Sequence, residues 1–211
     1  MPEVQSHGFY FEKWVRDTFF NGYETKYSSK WDIDKEANIK YGKLPVSIKT
    51  AKYGSPIGLG DAIRQISIDE DFILIAGFWK QEGNLKRIVN VTSTEITKSL
   101  WKALWTPLTL KDIIKLDKLI KCYDIHYSKI RKDAQILKST SPYCDCLITL
   151  NPKIDSKNQR RLQCSIGFNL HFNKIATESE MVEQPNPTLW NTPVPKPWES
   201  GIRKFNKHKP I

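Results

Sequence analysis

Residues 31–34, Trp-Asp-Ile-Asp, and 46–49, Val-Ser-Ile-Lys, are the stretches of this 211-residue chain where residue type and spacing suggest chemistry. In each, apolar and polar residues alternate. A strand sends successive side chains to opposite faces, so each segment can bury its apolar pair and present its polar pair. If the two strands are neighbours, Asp32, Asp34, Ser47 and Lys49 meet on one patch of sheet. Carboxylates hold a divalent cation, and a lysine polarises the water that such a cation activates. An Asp–Lys pair is also an ordinary salt bridge, and from these eight residues alone both readings stand.

The surrounding elements decide whether those residues can be held together. Residues 7–20 have Phe11, Trp14, Val15 and Thr18 at helical spacing, with Glu12 at the margin of the stripe. Asn21-Gly22-Tyr23 is a turn signal, and 35–43 reads as a polar connection between the two short strands. Residues 53–60, with three glycines and a proline, read as a loop. A helix is expected from near Leu59, with Ala62, Ile63 and Ile66 on one face and Asp61, Arg64 and Gln65 on the other. The apolar run 71–79 reads as a buried central strand and 85–93 as its return. Helices follow over 94–104, 109–124 and 127–137, then a β-hairpin over 146–172. This order predicts an α/β sandwich with a mixed sheet.

With that order in place, the chain resembles the PD-(D/E)xK nuclease superfamily, and within it the type II restriction endonucleases. The family pattern sets an acid on one strand and (D/E)-x-K on the next; Asp32 or Asp34 matches the first element and Ser47-Ile48-Lys49 stands in the place of the second, with serine at the acidic position. The resemblance covers roughly residues 8–92. It implies a restriction-endonuclease-like mixed central sheet flanked by helices, with residues 93–182 adding helices and a C-terminal β-hairpin for DNA recognition. It further implies magnesium as cofactor, double-stranded DNA as substrate, cleavage to 5′-phosphate and 3′-hydroxyl ends, and a homodimer matched to two-fold sites. Asp32 would be the main metal ligand, with Asp34 its rival. Asp61 would supply the second carboxylate that Ser47 lacks, aided by Glu12, and Lys49 would hold the attacking water. Lys52, Arg64 and Gln65 would face DNA around the cleft. Another nuclease of the superfamily, junction-resolving or repair, is the near alternative. A non-catalytic DNA-binding protein with a decayed site is the more distant one, and Ser47 is the feature that favours it.

Charge agrees with a polyanionic partner: 33 Lys+Arg against 23 Asp+Glu give a net charge of +10. The hairpin turn concentrates Lys153, Lys157, Asn158, Gln159, Arg160 and Arg161, side chains suited to phosphates and base edges. No apolar run is long enough to span a membrane, no secretory signal pattern opens the chain, and nothing points to a small-molecule substrate, so a cytoplasmic protein is expected. Cys122, Cys144, Cys146 and Cys164 do not make a disulfide scaffold; the single residue between Cys144 and Cys146 is short for a zinc pair, and reduced, mostly buried thiols are expected instead. Residues 1–182 form one expected domain. From Glu183 the chain turns proline-rich and then basic, and 183–211 is expected to be an extended tail that Trp190 and Trp198 anchor to some surface.

Overall fold

The computed structural model describes residues 6–24, 30–155 and 159–199. Helix α1 (Ser6–Phe19) leads to strand β1 (Val46–Lys52), strand β2 (Ile57–Asp61) and the short helix α2 (Ala62–Ile66). Strands β3 (Phe72–Glu82) and β4 (Leu85–Ile96) form a long hairpin, followed by helices α3 (Lys98–Trp105), α4 (Leu110–Ile120) and α5 (Tyr127–Lys138). Strands β5 (Thr149–Ile154) and β6 (Arg160–Ile166) make the second hairpin, and a helical turn over 168–175 ends in a π-helical segment. Three two-residue strands, β7 (Thr188–Leu189), β8 (Thr192–Pro193) and β9 (Trp198–Glu199), close the described chain.

The fold is mixed α/β. One sheet has the order β1-β3-β4-β9, with β1 parallel to β3 and the remaining pairs antiparallel. A second sheet has the order β2-β6-β5, all antiparallel. Alternation on β1 and β3 divides the interior. Val46, Ile48, Ile73 and Ile75 face α1, where they bury Phe11 and Val15. Leu74, Ala76 and Phe78 face the larger core, shared with α3, α4, α5 and the inner side of the second sheet. Helix α1 lies close to β3 because residue 77 is glycine: a Cβ there would sit 2.8 Å from the Phe11 ring. Thr109 and Asp112 cap α4 reciprocally, satisfying main-chain donors that the first turn leaves open.

Four expectations change. Residues 53–60 are not wholly loop, because Ile57 and Leu59 are apolar enough to enter the second sheet as β2. Residues 31–34 do not form a strand, since only Ile33 bridges Val46. Trp31 and Ile33 accordingly go to different cores, Trp31 against Phe72 in the larger and Ile33 beside α1. Thr18, expected on the buried stripe of α1, is exposed. The proline-rich stretch is extended, and through residue 199 it packs on its own domain. Gln184 N–H donates to Val89 O at 2.7 Å, Trp190 stacks on Tyr41 with centroids 3.9 Å apart, and Trp198 adds to β4 while stacking on Tyr10. Residues 200–211 lie outside the described chain.

Candidate active site

Strand β1 is bonded to β3 on one side only, so its other edge must find partners for its main-chain groups. Ile33 exchanges hydrogen bonds with Val46, and the next inward-facing donor, Ile48 N–H, is taken by the Asp32 carboxylate at 2.6 Å. Asp32 thus continues by side chain the pairing that the bridge begins. The loop that returns from there to β1 is closed by buried Asn38, which binds Tyr41 O, Leu44 O and Tyr41 N–H. Lys49 bends round the same edge: its Nζ donates to Asp32 Oδ2 at 3.0 Å and to Ile48 O at 2.9 Å. Ser47 Oγ makes a longer contact, 3.4 Å, with the same Oδ2. The Asp32 and Lys49 side chains keep 25% and 21% of their surface exposed, so the pair is lodged in the wall and open to solvent.

Glu12 joins this group from α1. Burial pushes its carboxyl above the usual value, the Asp32 charge pushes it further, and the Arg16 and Lys49 charges oppose the rise. Arg16, one turn on, binds Glu12 Oε1 at 2.5 Å. Glu12, Arg16, Lys13, Asp17, Gly22 and Glu24 line an open cleft of about 210 Å³ against the α1 side of the site. Asp32, Ser47, Lys49 and Glu12 are therefore brought together.

Two other carboxylates are held elsewhere. Asp34 accepts a 2.6 Å hydrogen bond from Tyr23 Oη. Asp61 is the N-cap of α2, accepting from Arg64 N–H at 2.8 Å, and the charges it acts on are those of Lys121 and Cys164 in the second sheet's surroundings. Because β2 carries Asp61 into the second sheet, it does not complete the group at Asp32. Gln65 is also withdrawn: it is buried, its Nε2 donates to Leu59 O, and its main-chain carbonyl accepts from Trp101 Nε1. Lys52 and Arg64 are exposed.

The hairpin residues divide similarly. Arg160 is buried; its guanidinium donates to the main-chain carbonyls of Cys122 and Ile125 and lies 4.8 Å from the Tyr123 ring centroid. It is a fold residue, which the run Gln-Arg-Arg cannot disclose because alternation alone does not say which arginine turns inward. Lys153, Gln159 and Arg161 are exposed, while Lys157 and Asn158 lie outside the described residues. Of the four cysteines only Cys164 is buried; Cys144 is exposed and all four are free thiols, which corrects the expectation of mostly buried ones.

Among the described residues no three His, Cys, Asp or Glu side chains stand together as a metal cluster. The pair Asp32 and Glu12 still suits magnesium, which takes one or two carboxylates and keeps several waters. All three donors on Asp32 use Oδ2, and no donor among the described residues reaches Oδ1. Arg16 uses Glu12 Oε1. Each acid retains one oxygen, and a cation held beside them would oppose the upward push of Asp32 on Glu12. Among the described residues no helix is long and apolar enough to cross a membrane. No protein-family model matches this chain, and neither a curated protein nor a solved structure shows significant similarity to it.

Proposed function

We propose that the protein is a magnesium-dependent endonuclease of double-stranded DNA, built on a restriction-endonuclease-like core and cutting to 5′-phosphate and 3′-hydroxyl ends. The observation that carries this reading is the meeting of Lys49 Nζ and Asp32 Oδ2 at 3.0 Å on the free edge of β1, with Glu12 coupled to both. When bound, magnesium supplies charge neutralisation and a water of lowered pKa. Asp32 would hold it through Oδ1 and Glu12 through the oxygen that Arg16 leaves. Lys49 has three N–H donors and uses two, leaving one for the attacking water or a non-bridging phosphate oxygen. Ser47 holds the Asp32 carboxylate in orientation. A homodimer on a two-fold site and specificity for one sequence belong to the same proposal.

The test is incubation of the purified protein with long unmethylated duplex DNA plus magnesium, calcium or chelator. Discrete fragments with magnesium alone are expected, and Lys49→Ala should lower the rate by at least about 10²-fold, the scale of a lost proton-handling group. DNA binding in calcium should stay within about threefold, since one phosphate contact among several carries a modest share of affinity. Ser47 favours a second reading, a DNA-binding protein without catalysis. Retarded but intact DNA under every condition would select it and overturn the endonuclease.

A further inference from the structure

The second sheet has one apolar side, which enters the core, and one polar side, most of whose residues reach solvent. Leu150, Leu162, Cys164 and Ile166 enter the larger core, where α4 and α5 cover them. The outward residues form three rows across β2, β6 and β5. Gly58, Ser165 and Thr149 make the first, Asp61, Gln163 and Asn151 the second, and Arg161 with Lys153 the third. Gly58, Asp61, Thr149, Lys153 and Arg161 are exposed, Asn151 and Gln163 half-exposed, and Ser165 buried.

We infer that this face enters the major groove of duplex DNA, with Lys153 and Arg161 on phosphates and Gln163 on base edges. The inference rests on duplex DNA being the partner, and it moves recognition from the hairpin tip to the sheet face. Three features support it. Lys153 and Arg161 are directly opposite one another, an arrangement that costs stability between like charges, and among the described residues neither has an ion pair or hydrogen bond. A polyanion removes that repulsion. Next to them, the Gln163 amide also has no hydrogen-bond partner among the described residues, whereas Asn151 Nδ2 is tied to Thr149 O and Ser165 Oγ at 3.2 and 2.9 Å. A free amide with one donor edge and one acceptor edge is what reads adenine.

The third feature is the bare position at Gly58 on β2. Gly58 has a φ that any residue adopts, and a Cβ added there would meet no atom within 4 Å. The fold therefore has room for a side chain where none is present, although glycine weakens a strand relative to alanine. Three strands span about 10 Å between their outer members, close to the major groove's width of about 12 Å. A side chain at position 58 would add to the width that must enter the groove, and its absence lets that end of the sheet sit in it, while Asp61 at the other end of β2 is engaged by the Arg64 N–H of α2.

Binding is read by fluorescence anisotropy of the full chain on a short duplex in chelator, as a function of salt, so that catalysis plays no part. Lys153→Ala with Arg161→Ala should weaken binding by about tenfold at moderate salt and reduce the slope of log affinity against log salt by about 1.8, the value for two phosphates. Gly58→Val should weaken binding by a similar factor without lowering the melting temperature, which a purely structural role would not produce. Selection from a randomised duplex pool should yield a motif that Gln163→Ala flattens at one base pair. Binding of the double variant or of Gly58→Val at the parent's affinity would overturn the groove, and an unaltered motif would overturn the reading by Gln163. Failure of the endonuclease proposal would show differently, as intact duplex in magnesium with these binding effects preserved.

Discussion

Two adjacent arginines should answer opposite questions. Arg160→Ala should lower stability and leave the folded fraction's DNA affinity unchanged; Arg161→Ala should not lower stability, and should weaken DNA binding. The Arg160 guanidinium makes two hydrogen bonds to main-chain carbonyls of the 122–125 turn and covers the Tyr123 ring. Hydrogen bonds to charged groups contribute about 1.5–3 kcal/mol each, and truncation leaves both carbonyls short of a partner. A cation over an aromatic face adds about 0.5–1 kcal/mol. Against this stands the cost of burying a charge that, among the described residues, has no carboxylate beside it and an unpartnered Nε. The difference comes to about 3 kcal/mol by these magnitudes. For a chain of this size each kcal/mol moves the melting temperature by about 2–4 °C, so a fall of about 6–12 °C is expected. Thermal unfolding by circular dichroism, paired with anisotropy in the cold, measures both quantities on each variant. A melting temperature within about 2 °C of the parent for Arg160→Ala would refute the reasoning, because that is the effect of an exposed substitution. An equal loss of stability in Arg161→Ala would refute it as well.

Gly77→Ala should cost about 1–3 kcal/mol by overpacking, since its Cβ meets the Phe11 ring at 2.8 Å, and cleavage should fall further than stability because Glu12 follows Phe11 on the displaced helix. Chemical denaturation and cleavage rates on the same preparation separate the two effects. Asp34→Asn should keep cleavage within about threefold of the parent while Asp32→Asn loses at least about 10²-fold, because Asp34 is tied to Tyr23 and Asp32 to Lys49; equal losses would contradict the assignment. Burial lowers His171 from 6.5 to about 4, so below pH 6.5 the unfolded chain binds the extra proton first. Stability present above pH 6.5 should therefore decline as pH falls toward 4, by about 3 kcal/mol from this group, and His171→Gln should remove that part of the slope.

Periodicity made the long elements legible. The run at 71–79, the return at 85–93 and the helices around 110–120 and 127–138 carry patterns too regular for other structures, and the structure contains them with boundaries moved by a few residues. The short ones escaped. Ile57 and Leu59 are two apolar residues among glycines, and their membership of a sheet depends on β6, about a hundred residues away, which no local pattern contains. Residues 31–34 alternate like a strand, yet Trp31 finds Phe72 and Ile33 finds α1, so tertiary packing sends the two to opposite sides. At the site, Asp32 and Lys49 were legible because one edge of one strand holds both. Asp61 and Gln65 were misplaced for the same reason as β2: the sequence puts them after the lysine strand, and the second sheet takes them away from it. No sequence signal marks Gln163, since its meaning lies in being opposite Asn151 and beside a glycine-flanked strand.

The replacement of an acid by Ser47 changes the charge balance of the proposed centre. With an acid at that position, two strand carboxylates and one lysine would give a net charge of −1. Here Asp32 and Glu12 are set against Lys49 and Arg16, and the group is neutral. A neutral centre attracts a divalent cation weakly, and Arg16 competes for one of the two carboxylates. On the proposed reading the scissile phosphate would supply the missing negative charge, so cation and DNA would strengthen one another's binding, by linkage by the same factor. On the proposed reading, serine at position 47 therefore couples the assembly of the centre to the presence of substrate. The raised carboxyl of Glu12 belongs to the same balance: burial is its main cause, the Asp32 charge adds to it, and the Arg16 and Lys49 charges offset part of the rise. A cation beside the two acids would oppose that rise, which makes the helix α1, held against Gly77 through Phe11, part of the site's electrostatics as much as of its scaffold.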